Sequence, residues 1–257
     1  MVELGQIALI LSFMMATYST VVGFAGGMLN GRDLAASARW GFYSICPLLI
    51  LATASLIYAF VTNDFSVKYV AENSNIAMPK IYSWVAFYSG NAGSLLYIAV
   101  AFSVMAGITI RILNSKLPYT SPYALGVMSM VLLFFLAVIL FLANPLDRHE
   151  IALEDGQGMN PLLIHFGMFI HPPFQMLGLI SVALPFSIAI GALLAGRGGR
   201  DEWVDQGRLW GMVSWLLLTT GLLLGAWWAY TILGWGGYWA WDPVENSALM
   251  PWLAMTA

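Results

Sequence analysis

Charge is what this sequence lacks most. Asp, Glu, Lys and Arg make up 9% of its 257 residues and hydrophobic residues 60%, whereas a soluble domain carries about 25% charged residues. The charges fall in short clusters between long apolar runs, the pattern of a polytopic membrane protein. A formal net charge of −3 decides nothing, and without a basic tract there is no footprint for nucleic acid. Cysteine is almost missing too. Cys46 stands alone in an apolar run, which excludes an internal disulfide, CxxC thiol exchange, and a CxxCH through which the chain would carry its own covalent haem. HExxH, zinc-spaced ligand clusters, G-x-S-x-G and a phosphate-binding glycine loop are also missing, so a hydrolase or NTPase reading has no support. The first apolar run has no basic flank and no small-residue cleavage site, and reads as a membrane helix rather than a signal peptide.

At about 20 residues for roughly 30 Å of hydrocarbon, the hydropathy predicts six spans. They run from Leu4 to about Met28, from Trp40 to Val61, from between Ser83 and Gly93 to Arg111, from Tyr123 to Ala143, from about Pro172 to Ala195, and from Leu209 to about Leu233. A seventh helix opens at Pro243 and reaches Ala257 after about 22 Å, too short to cross. The expected fold is therefore all-α, one membrane bundle over residues 1–257. No span carries Asp, Glu or Lys in its middle, which counts against a proton or ion path.

Orientation follows from the basic residues. Loops after spans one, three and five hold Arg32, Arg39, Arg111, Lys116, Arg197, Arg200 and Arg208; the alternate loops hold Lys68, Lys80 and Arg148. Seven against three puts the first set in the cytoplasm. The N-terminus, the 62–82 loop, the 144–172 loop and the 234–252 segment are then expected on the outer side.

That last segment is the densest in chemistry. Trp227, Trp228, Trp235, Trp239, Trp241 and Trp252 fall within 26 residues, with Tyr238 and three glycines among them. An interfacial aromatic belt is the plain explanation, but a belt needs no glycine-spaced cluster. Flat indole faces, each with one N–H at its edge, suit a large planar ligand. Asp242, Pro243 and Glu245 fit a capping box with proline at the first helical position, so their first reading is structural.

All three histidines lie between Asn144 and Pro173. His149 sits among charged residues and reads as a solvated loop residue. His165 follows the helix start at Asn160-Pro161 and is either packed or interfacial. His171 is the best ligand candidate, because Pro172 and Pro173 fix the backbone and set its ring at the outer mouth of the fifth span.

At these residues the chain resembles a known family. GWGGYWAWDPVENSALMPWL, from Gly234 to Leu253, is similar to the tryptophan-rich WWD signature of membrane haem-handling proteins of cytochrome c maturation. HPP at His171–Pro173, DGQGMNPLL at Asp155–Leu163 and NDFSVKYVAENSNIAMPKIY at Asn63–Tyr82 narrow the resemblance to the CcmF/NrfE branch. The chain departs from that pattern near Ile164–His165, where relatives carry a polar residue, and at Asn91–Ala92, where they carry a His-Glu pair.

The resemblance implies a cytochrome c haem lyase subunit of a bacterial inner membrane, or of a mitochondrial one. It would take haem b from a haem-carrier protein and present it to the CxxCH thiols of apocytochrome c, alongside other maturation subunits. Carried over residue by residue, Trp235, Tyr238, Trp239, Trp241 and Asp242 would form the haem-facing platform. His171, backed by Pro172, would be an axial ligand of the iron. The family's second outer ligand and the histidine pair of its internal haem would lie beyond Ala257, so the chain reads as either one piece of a split lyase, completed by a second polypeptide, or a truncated product. His165 is a substitute ligand candidate, and Arg148 or Lys80 is available to pair a propionate. The alternative is a haem-binding or haem-export module without attachment chemistry.

Overall fold

In the computed structural model, which describes residues 1–232, 234 and 236–257, nine α-helices are connected by turns and short 3-10 segments. Helices α1 (Val2–Met28), α2 (Arg32–Val61), α4 (Asn91–Lys116), α5 (Ser121–Phe141), the pair α6 (His171–Ser181) and α7 (Ala183–Leu194), and α8 (Glu202–Ile232) supply six spans. Helix α3 (Lys68–Asn73) lies in the loop between α2 and α4, and α9 (Pro243–Thr256) follows the aromatic segment. The expected membrane bundle of six crossings and the start of a seventh helix is what forms.

The core is built by matching small residues against large ones. On α2 the buried residues Ala38, Phe42, Ile45, Leu49, Ala52, Leu56 and Ala59 recur at alternating steps of four and three, one stripe of a helix. The buried side of α1 is made of Gly5, Ala8, Ser12, Ala16, Ser19, Gly23 and Gly26. Small residues let two apolar helices approach closely, the packing that lipid solvent favours. Helix α5 lies against α1 and α7, α4 bridges α2, α5 and α6, α8 packs on α6 and α7, and α9 returns along α8. Leu, Ile, Met and Phe side chains such as Met14, Ile50, Phe134 and Leu223 cover the outside of the bundle, as the hydrocarbon requires.

Three boundaries differ from the hydropathy reading. Helix α2 starts at Arg32 rather than Trp40, and α8 at Glu202 rather than Leu209, because hydropathy marks the hydrocarbon crossing and not the polar turns beyond it. The fifth span is broken: α6 ends at Ser181 and α7 begins at Ala183. Pro185 has no N–H to give the Ser181 carbonyl four residues earlier, which is a sufficient cause.

The two loops at the N-terminal end of the bundle are zipped together. Lys68 N donates to Asp147 O at 2.9 Å, His149 N to Ser66 O at 2.8 Å, and Gln157 N to Ala71 O at 2.7 Å. Ile76 N donates to the Asp155 carboxylate at 2.9 Å, and Tyr88 Oη to Met168 O at 2.9 Å. Asn144 Nδ2 reaches Gln6 Oε1 on α1 at 2.9 Å. The start of α1, the two loops and the start of α6 thus share one end of the molecule.

Candidate functional site

Helix α6 opens on His171, and Pro172 and Pro173 occupy its first turn, where a missing N–H costs nothing. Across from it, α8 presents Gly221 and Gly225 four residues apart, on one face. A Cβ at Gly225 would lie 2.7 Å from His171 Cε1, and one at Gly221 would lie 2.7 Å from Gln175 Cα. Only glycine lets the two helices come this close. The half-buried imidazole lies edge-on to Trp228, with ring centroids 5.3 Å apart, and its Nδ1 is 3.0 Å from the Gly221 carbonyl oxygen. A carbonyl can only accept, so Nδ1 carries the proton. The neutral ring then keeps its lone pair on Nε2, the tautomer a metal needs. Nε2 has no hydrogen-bond partner among the described residues.

Past α8 the chain turns back through the aromatic segment. Gly234 and Gly236 take positive φ of 69° and 78°, and Trp241 takes 57°, a left-handed conformation unusual for an indole residue. The Asp242 carboxylate accepts from Glu245 N at 2.7 Å, Glu245 Oε2 accepts from Ala240 N at 2.8 Å and Asp242 N at 3.3 Å, and Asn246 Nδ2 donates to Trp241 O at 2.8 Å. This is the capping box read from the sequence, and it holds the whole 240–246 turn. Farther along, Trp252 Nε1 donates to Thr219 Oγ1 at 2.7 Å and Trp215 Nε1 to Thr256 Oγ1 at 2.8 Å, which fastens α9 to α8. Trp252 is therefore a staple between helices.

The turn brings Trp239 and Asp242 over His171. Together with Gln175, Gly225 and Trp228 they line a cleft of about 610 Å³ of empty space, counted to its open mouth. Two buried polar atoms here have no partner: Trp239 Nε1, a donor, and Gln175 Oε1, an acceptor. Leaving such atoms unpaired costs about 1–3 kcal/mol each.

The remaining sequence candidates divide. Trp241 is exposed and meets Trp239 edge-on at 5.8 Å, outside the cleft lining. Tyr238 stacks on Tyr230 at 4.4 Å, also outside the lining. Trp235 lies outside the described residues. His165 is not brought to the cleft: its Nδ1 accepts from Gly167 N at 3.0 Å, capping a 3-10 turn, so a neutral ring keeps its proton on Nε2 and has no free lone pair. Arg148 faces Glu3 at 3.7 Å, and neither it nor Lys80 lines the cleft. Gln175, Gly221, Gly225 and Trp228 were not singled out as site residues from sequence. The one available signal was the glycine pair at a spacing of four in GLLLG, a helix-approach pattern.

A family model described as cytochrome C assembly protein matches residues 88–257. The chain belongs to that family. It is 40% identical over 262 residues to the cytochrome c-type biogenesis protein CcmF of Pseudomonas fluorescens, covering 99% of this chain and 39% of that protein. It is 39% identical to the cytochrome c-type biogenesis protein ccl1 of Rhodobacter capsulatus, covering 100% of this chain and 39% of the relative. Its fold is similar to a solved structure of the cytochrome c haem lyase CcmF, with a TM-score of 0.84 at 27% identity, over 99% of this chain and 40% of that one. The chain thus spans about two fifths of the length of these relatives. Family membership and the apolar helices make it an integral membrane protein of cytochrome c assembly.

The chemistry of the cleft's lining suits a haem, the group for which the solved lyase is named. Its walls combine Trp228, Trp239, Leu222 and Val244 with the carboxylates of Asp242 and Glu245, one imidazole nitrogen is free to ligate, and the buried Trp239 N–H has no partner. No group of three or more His, Cys, Asp or Glu residues is close enough to hold a metal ion among the described residues.

Proposed function

We propose that this chain holds haem b in the cleft between α6, α8 and the turn before α9, and offers it to the CxxCH of apocytochrome c as part of a cytochrome c haem lyase. The observation that carries the reading is that His171, with its tautomer set by the Gly221 carbonyl, shares one cleft with Trp239 and Asp242. In this reading His171 Nε2 would ligate the iron, Trp228 and Gly225 would hold the imidazole in place, and Trp239 would supply an indole wall for the ring. Bound haem supplies the vinyl groups to which the two cysteine thiols add. The chain's contribution to that addition is positioning, by holding one face and one edge of the ring toward the incoming peptide.

The cleft opens at the same end as the zipped loops, opposite the Lys- and Arg-rich end. By the positive-inside rule this end faces the periplasm of a bacterial inner membrane, where a haem-carrier protein delivers haem and apocytochrome c receives it. Other maturation subunits complete the lyase. Covalent haem on a CxxCH reporter, in membranes that contain the chain with its maturation partners, tests this. His171→Ala and Trp239→Ala should each lower the yield about tenfold or more, the scale of a lost positioning contact. Wild-type yields from both variants would refute it.

A further inference from the structure

At the opposite end of the bundle, between the ends of α1 and α4 and the starts of α2 and α5, lies a second and larger cavity. It encloses about 1270 Å³ of empty space, counted to its mouth. Arg32 and Arg39 both line it, together with Asn30, Asn114 and Tyr119, and its lining contains no Asp or Glu. Arg39 donates to Asn114 Oδ1, a neutral acceptor, and Arg32 has no hydrogen-bond partner among the described residues. The single ion pair among the described residues is Arg148 with Glu3, at the other end. Asp33 is exposed and outside the lining. Arg197 sits 4.6 Å from the ring centroid of Tyr119 in a neighbouring pocket that Glu202 also lines, and stands apart from the two arginines of the cavity. Positive charge is thus gathered in a concave site and left uncompensated by the protein. Leu125, Ala35, Pro118, Pro122 and the glycines of α1 make most of the remaining wall apolar, with Ser121 the polar exception.

Guanidinium groups prefer oxyanions that accept two parallel hydrogen bonds, carboxylate or phosphate. The cavity sits where four helices leave the hydrocarbon, the depth of lipid phosphates. We propose that it is a phosphate site that takes the headgroup of an anionic phospholipid, with Arg32 and Arg39 on the phosphate and the acyl chains along the apolar wall. The site is separate from the haem cleft and does not depend on that reading.

The full chain, purified in detergent and titrated with phosphatidylglycerol or phosphatidylcholine, tests this by native mass spectrometry. The wild type should retain phosphatidylglycerol in preference. Each of Arg32→Gln and Arg39→Gln should cut the preference by roughly fivefold, the worth of one basic residue at a membrane surface. Asn114→Asp, which sets a carboxylate on Arg39 without emptying volume, should cut it as well, and Arg148→Gln at the far end should not. Displacement of the lipid by inorganic phosphate would identify the bare phosphate as the recognised group. Retention against inorganic phosphate would identify the headgroup with its chains. Equal retention of the two lipids, or a preference unchanged in all three cavity variants, would overturn the proposal.

Discussion

The Gly221 carbonyl oxygen lies 3.0 Å from His171 Nδ1, and one turn farther along α8 Gly225 leaves room for the same ring. Two glycines on one helix therefore set the tautomer and the seat of a histidine on another. A methyl at Gly225 would fall 2.7 Å from His171 Cε1, so the imidazole must turn away. Gly225→Ala should lower haem occupancy about tenfold, as loss of a ligand-orienting contact does, while the protein still inserts and purifies. The ratio of Soret to protein absorbance reads this.

Trp239 supplies a flat face and a buried N–H without a partner. The two contributions separate by substitution. Trp239→Phe keeps a face and should retain most of the bound haem, with weaker retention on dilution. Trp239→Ala should lose it. Equal loss in the two would assign the role of Trp239 to its N–H alone, and equal retention would remove Trp239 from the site.

Asp242 is both the cap of α9 and part of the cleft wall. Asp242→Asn preserves the capping acceptor and removes the charge; Asp242→Ala removes both and should cost about 1 kcal/mol of local stability. If the role is capping, only the alanine variant should raise proteolysis of the 234–252 segment and reduce haem loading.

In the loop on the same side, Tyr69 is a buried hub. Its hydroxyl accepts from Gly90 N at 2.8 Å and lies 3.1 Å from Phe87 O. Burial pushes its pKa up to about 12, with the Gly90 backbone bond opposing the shift. A phenol whose folded pKa is raised stabilises the fold fully below its unfolded value near 10, and the contribution is lost as pH rises from there through about 12. Tyr69→Phe should flatten the alkaline unfolding of the detergent-solubilised protein in that window. It should also cost about 1–3 kcal/mol at neutral pH for the orphaned Gly90 N–H.

The spans were legible in the sequence because bilayer thickness imposes a run of apolar residues, and the α9 start because Asp-Pro-x-Glu is a local signal. His171, Trp239 and Asp242 were legible by residue type. What surrounds them was not. Gln175, Trp228 and the glycine pair of α8 matter through a contact between helices whose facing sides no local pattern specifies. Trp241 and Tyr238 look equivalent to Trp239 in sequence, yet the positive φ at Trp241 and the stacking of Tyr238 on Tyr230 turn both out of the cleft lining. The prolines after His171 marked it out in sequence, but the atoms that the Nδ1 nitrogens of His165 and His171 meet, which set their tautomers, were not legible there.

The most direct test of the haem cleft is the absorption spectrum of the detergent-purified chain after reconstitution with haem, compared among wild type, His171→Ala and His165→Ala. The account predicts a Soret band in the wild type, its retention in His165→Ala and its loss in His171→Ala. A Soret band of unchanged position and intensity in His171→Ala would contradict it.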